Sequence, residues 1–173
     1  MAFEAKIFVD LFGEMMRKVQ ADLSDRFDSI EKPYFHYGHS LELINDMLEK
    51  DKYAVDKFPI VYLLQDFTEN HAVNNSSVQY TADVQLYIIN LTDPNYYIAD
   101  RYQHVFRTVL YPIYNSLIKN LKQYRYFSFP IDKVPHSKTD LPYWGENNAN
   151  FANDYIDAIH ISNLSVPVAK TNC

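Results

Sequence analysis

Apolar residues recur at every fourth position near the start of the chain: Phe3, Ile7, Leu11, Met15, Val19 and Leu23, with Phe8, Phe12 and Met16 beside them. This spacing lays one broad apolar face along an amphipathic helix over Phe3 to Phe27, with charges opposite and an end marked by Ser24-Asp25. An extended stretch follows from Glu31 to Gly38. Ser40 can then cap a shorter helix, ending near Lys50, in which Leu41, Ile44, Met47 and Leu48 face inward.

The period changes at Phe58. Phe58-Pro59-Ile60-Val61-Tyr62-Leu63-Leu64 is a short continuous apolar run, and its length, β-branched residues and early Pro predict a strand buried on both faces. After a polar loop, Thr68 to Ser77, strict alternation takes over. Tyr80, Ala82, Val84, Leu86 and Ile88 fall on one side, with Gln79, Thr81, Asp83, Gln85 and Tyr87 on the other, which predicts a long antiparallel strand with one face in the core. The two strands read as a hairpin with a long loop.

Thr92-Asp93-Pro94-Asn95 breaks the strand, and apolar positions from Ile98 to Leu121 then trace a helix of about six turns. Pro112 lies inside it, so a kink is expected near Thr108 to Pro112. Lys119, Lys122 and Arg125 gather at its C-terminal end, where the helix dipole favours cations. Tyr126 to Ile131 can form a short strand. A long polar stretch follows, and the final strand covers about Ala158 to Val168. Its apolar residues change parity, from Ile159 and Ile161 to Leu164, Val166 and Val168, which predicts a bulge near Ser162-Asn163.

These elements define an α+β fold: an antiparallel sheet of three to four strands, with a long helix and an N-terminal helix packed on one face. One domain is expected over residues 1–173, with N-terminal helices in 1–50 and the α+β core in 57–168. The length of 173 residues suits a single core.

Composition changes the picture in three places. Only 3 residues are Gly, too few for a phosphate-cradling loop, which needs several positions that only Gly tolerates. The net charge of −6 is the wrong sign for a protein that grips nucleic acid through its phosphates. The single Cys, Cys173, allows neither an internal disulfide nor a cysteine metal cluster. Charges spread through Met1 to Leu23 do not fit a signal peptide, and no run approaches the roughly 18 apolar residues of a membrane span, so a soluble protein that contacts no membrane is expected.

The candidates for chemistry each have a plainer reading. His36 and His39 could hold a metal with a third ligand, but an extended segment splays them, and ordinary loop histidines are the better account. Asp154, Asp157 and His160 form a D-x-x-D-x-x-H spacing leading into the last strand. On a strand, a spacing of three sends successive members to opposite faces, so they do not converge for acid–base work. Asp100-Arg101 opens the long helix with an acid suited to the dipole, and Arg101 is placed to pair with a neighbouring acid. Tyr124-Arg125-Tyr126 suggests base stacking, although the acidic total favours a surface strand edge. No enzyme, cofactor or metal is expected. Tyr143-Trp144-Gly145 holds the only Trp, in a polar Pro-flanked segment, and reads equally as a loop folded over its own core or as a subunit contact. The excess of aromatics, 16% of residues, lies largely on core helix faces; Tyr143, Trp144 and Tyr87 are what it leaves for contacts.

The order of elements resembles the tail-terminator and head-tail joining proteins of tailed bacteriophages. The resemblance is carried by Lys57 to Leu63 as the first strand, Val84 to Leu91 as the second, and the helix from Asp100-Arg101-Tyr102 through Phe106-Arg107 to Leu110-Tyr111-Pro112-Ile113-Tyr114. It is similar in particular to small proteins of Bacteroides-type phages, where a Tyr-Trp-Gly segment like Tyr143-Trp144-Gly145 precedes the last strand. The match spans roughly Lys57 to Val168 and is one of pattern, without an invariant signature. It implies a virion protein of the neck or tail, assembled as a homo-oligomeric ring of six- or twelve-fold symmetry that meets portal, connector or tail proteins. DNA would pass through its centre without sequence-specific binding. Under it, the Thr68 to Ser77 loop with Asn74 and Asn75, and the Lys138 to Asn153 segment with Tyr143, Trp144, Asn147 and Asn148, become subunit-contact candidates. A monomeric ligand-binding or regulatory domain, with aromatics lining a pocket, is the alternative.

Overall fold

The computed structural model describes residues 7–27, 31–39, 41–42, 58–71, 77–130, 133–144 and 156–170. Helix α1, Phe8–Phe27, buries Phe8, Leu11, Phe12, Met15, Met16, Val19 and Leu23 on the face that the four-residue spacing marks; Ile7, expected on that face, precedes the helix and is 63% exposed, and Phe3 lies outside the described residues. Strand β1 is Tyr34–Gly38, β2 Ile60–Leu64, β3 Thr68–Asn70, β4 Val78–Leu91, β5 Ser137–Leu141 and β6 Ile156–Ala169. The long helix α2 runs over residues 98–123, between β4 and β5.

The sheet is larger than expected and mixed. Its order is β1-β2-β4-β6-β5, with β3 also paired to β4, which makes six strands. β1 runs parallel to β2, and the other pairings are antiparallel. The alternating and continuous apolar runs are the central strands, β4 and β2. β3 and β5 gave no signal because Thr-Glu-Asn and Ser-Lys-Thr-Asp-Leu sit at the sheet margin, where burial does not select an apolar face. β3 lies inside the stretch assigned to the hairpin loop. Among the described residues the short strand expected at Tyr126 to Ile131 reduces to one bridge, Phe127 to Val168, flanked by Ser128 N–H to Pro167 C=O and Ala169 N–H to Tyr126 C=O; Ile131 lies outside them.

The bulge lies where the parity change put it. Val84 pairs with Leu164 and Leu86 with Ile161, so Ser162 and Asn163 together oppose Gln85. Asn163 takes a left-handed φ of 52° there, and its side-chain amide donates to Ser137 Oγ at 3.0 Å. The extra residue returns Leu164, Val166 and Val168 to the face already occupied by Ile159 and Ile161.

That face is covered by both helices. Val61, Leu63, Val84, Leu86, Ile88, Ile159 and Ile161 form one core with the apolar faces of α1 and α2. The helices are antiparallel and tied by polar contacts. Tyr124 donates to Glu14 at 2.8 Å, and Asp22 accepts from Lys119 at 2.9 Å and from Asn120 at 3.1 Å. The hydrogen bond from Lys119 is the main cause holding the Asp22 carboxyl below its usual range.

In α2 an α-helical turn, Ile98–Arg101, opens into a π-helical stretch, Tyr102–Leu110, before α geometry resumes over Tyr111–Gln123. The disturbance expected from Pro112 therefore takes the form of wider turns, with the Tyr111 N–H bonded to the Phe106 carbonyl five residues back. Pro112 has no N–H to offer the Thr108 carbonyl, which accepts the Arg26 guanidinium at 3.0 Å instead. Leu41, expected to face inward, is 62% exposed; Ser40, Ile44, Met47 and Leu48 lie outside the described residues.

The bulge yields a test. Asn163→Ala should lower stability by about 1–2 kcal/mol in chemical denaturation, because a Cβ residue without a local hydrogen bond is strained at positive φ. Asn163→Gly should cost less than Asn163→Ala.

Candidate assembly surface

The second face of the sheet divides in two. Near β2 and the adjoining ends of β4 and β6 it is apolar: Ile60, Tyr62, Leu64, Ile89, Ile156 and Ala158 cluster there, with Tyr34, Tyr87, Leu141 and Trp144 packed against them. Strand register places His36, Tyr62, Tyr87, His160 and Thr139 in one row across five strands. His36 packs on Tyr62 with ring centroids 5.2 Å apart, and Tyr87 stacks on His160 at 4.5 Å, only 7° from parallel. Trp144 stacks on Tyr87 at 5.0 Å. Burial raises the Tyr87 pKa and lowers that of His160, whose Nε2 lies 3.1 Å from Gln85 Oε1.

Toward the other end the same face is polar and open. Asp83, Gln85, Asn163, Ser165, Ser137 and Thr139 are exposed there, Thr81 is half-buried, and pairing puts Thr68 beside Asp83 and Asn70 beside Thr81. These side chains are short or uncharged except for Asp83, and none is Lys or Arg.

One buried charge pair ties the start of α2 to the sheet. Arg101 Nη1 donates to Asp157 Oδ1 at 2.8 Å, and both side chains are 0% exposed. Arg101 Nε donates to the Tyr96 carbonyl at 3.1 Å, and its guanidinium lies 3.6 Å from the Tyr143 ring centroid. Tyr143, at a φ of 53°, donates its N–H to Asp157 Oδ1 and its hydroxyl to the Tyr96 carbonyl. A buried carboxylate needs such partners, and an Arg stacked on an aromatic face supplies charge and area together.

The sequence candidates sort accordingly. Tyr143 and Trp144 both engage their own chain, on opposite faces of the sheet, and each is half-buried. Asp157 faces α2 while His160 faces the other side, so the D-x-x-D-x-x-H residues diverge as their spacing required; Asp154 lies outside the described residues. So do Asn74, Asn75, Asn147 and Asn148. His36 lies against Tyr62, and His39 Nδ1 accepts from the Leu41 N–H at 3.1 Å. Among the described residues no group of three or more His, Cys, Asp or Glu could hold a metal, and no helix is long and apolar enough to cross a membrane. Arg125 folds over Tyr126, and Tyr124 is buried against α1. The ion pair expected of Arg101 is present, but the sequence did not name Asp157 as its partner. The two stand far apart in the chain, and the only hint was a charged residue at an otherwise apolar position on each element.

No protein-family profile, curated protein sequence or solved structure matches this chain.

Two outcomes are expected. Arg101→Leu should cost about 3–5 kcal/mol in chemical denaturation by leaving a buried carboxylate unpaired, and adding Asp157→Leu should recover much of that loss. His160 has its folded pKa below the ordinary 6.5 through burial. The unfolded chain therefore binds a proton first on acidification, and stability falls as pH drops from about 6.5 toward the folded pKa. His160→Gln should flatten that part of a stability–pH profile.

Proposed function

We propose that this chain is a structural subunit of a ring in the neck or tail of a tailed phage, joining or terminating the tail and letting DNA pass through its centre. The open polar half of the second sheet face carries the reading. Its Thr, Ser, Asn and Gln side chains and Asp83, without a cation, suit a channel wall over which a polyanion slides without being held. The net charge of −6 acts in the same sense.

The sheet margins support a head-to-tail contact. β1 and β5 stand at opposite ends of the sheet order, and among the described residues no strand pairs with the outer edge of either. Unequal surfaces on opposite sides of one subunit are what a closed ring uses. Tyr97, which is 79% exposed, and Ile98 add apolar area near the Arg101 junction. The ring's neighbours would be portal, connector or tail proteins, and its location the virion. Its role is that of a scaffold, with no catalysis.

Electron microscopy and mass photometry of the full chain, alone and mixed with tail-less or head-less phage particles, test this. Closed rings or a ring-shaped density at the neck or tail are expected. A chain that stays monomeric at high concentration and leaves every particle undecorated would overturn the reading. In assembled rings, Asp83→Lys with Gln85→Lys should turn passage into retention, seen as duplex DNA co-migrating with the ring at low salt and released at high salt.

A further inference from the structure

The open half of the second sheet face carries no Lys or Arg, and this freedom from positive charge depends on pH. Among the described residues that the strands turn to that face, only His36 and His160 are able to become cations. They stand at different places. His36 lies at the β1 end of the aromatic row, against Tyr62 and the apolar half. His160 is on the central strand β6, and its neighbours belong to the open half: Gln85 bonds to it from β4, and Thr139 of β5 is its register partner.

The imidazole of His160 is held in one orientation. Its ring stacks on Tyr87 at 4.5 Å, and Nε2 donates to Gln85 Oε1 at 3.1 Å, which leaves Nδ1 as the nitrogen that takes a further proton. The side chain is half-buried, so solvent reaches it. On this face β4 offers it Tyr87 and Gln85, with Asp83 two positions beyond Gln85, and β5 offers Thr139 and Ser137. Trp144 lies on Tyr87. Lys138, Asp140, Arg101 and Asp157 belong to the side covered by the helices. Among the described residues no carboxylate pairs with His160, so nothing there fixes its charge in advance. Burial keeps its pKa below the ordinary 6.5. The ring is therefore neutral at neutral pH and gains its charge in mild acid, where the Tyr87 ring face favours the cation.

We propose that His160 is a proton-operated charge switch on the second sheet face: neutral, it leaves the polar half without a cation, and protonated, it gives that half a hold on a polyanion. The use of the switch rests on the channel reading. In a closed ring every copy takes up the same proton, so one residue lays a belt of positive charge around the lumen and brakes duplex DNA in acid.

The probe is a short fluorescein-labelled DNA duplex, whose affinity for the full chain is read by anisotropy at low salt, at about pH 7.5 and about pH 5.5. Circular dichroism checks that the chain is folded at both. Acidification should tighten binding about tenfold or more. His160→Gln should lose most of that gain, whereas His36→Gln should keep it. His160→Lys, charged throughout, should bind the duplex at both pH values. An affinity that does not rise on acidification, or a rise that His160→Gln keeps in full, would remove the switch. Electron microscopy of the same samples separates this from the ring itself. Closed rings without the acid response leave the ring and discard the switch; the response in a chain that never closes rings leaves the switch and discards the channel.

Discussion

β4 and β6, each 14 residues long, lie against one another through the middle of the sheet, and because side chains alternate with period two, their register decides what both faces display. Had the pairing continued without the bulge, Leu164, Val166 and Val168 would face the open side, and the polar half-face could not exist. Two residues opposite Gln85 shift the phase once. The helix-covered core and the polar surface are thus two results of one insertion.

At the other end of β6, the same strand reaches the start of α2 through Asp157. A buried ion pair is weak evidence for stability, since desolvation offsets much of its attraction. Its value here is positional. Arg101 meets Asp157, Tyr96 and Tyr143 at once, and so fixes where α2 leaves β4 and where the segment after β5 turns back toward β6. Tyr143 and Trp144 then grip opposite faces at that corner, which accounts for an aromatic pair in an otherwise polar stretch.

What could be read from the sequence follows from how strongly burial constrains each element. α1, β2, β4 and α2 have faces in the core, and their apolar spacing showed in the residues themselves. The bulge was legible because Ile161 and Leu164 cannot share a face on a regular strand. β3 and β5 bury little, so their polar residues resembled loop, and parallel pairing of Tyr34 to Gly38 leaves no mark in local composition. The aromatic row from His36 to His160 was hidden for another reason: its members come from four strands, and only the register lines them up. Pro112 announced a fault in α2, but whether a helix bends or widens depends on what receives the freed carbonyl, and Arg26 is distant in sequence.

The central place of β6 bears on how the chain folds. Its partner β4 is made long before it, with all of α2 and β5 in between, so the largest pairing in the molecule closes a long loop and slows folding. Until β6 arrives, β4 offers a bare edge and β5 has no strand to lie on. The α1, β1 and β2 side can form from nearer pieces, whereas the β5 margin exists only once β6 is laid down. The two ends of the sheet therefore mature in a fixed order, and any contact that needs both of them must wait for the last strand.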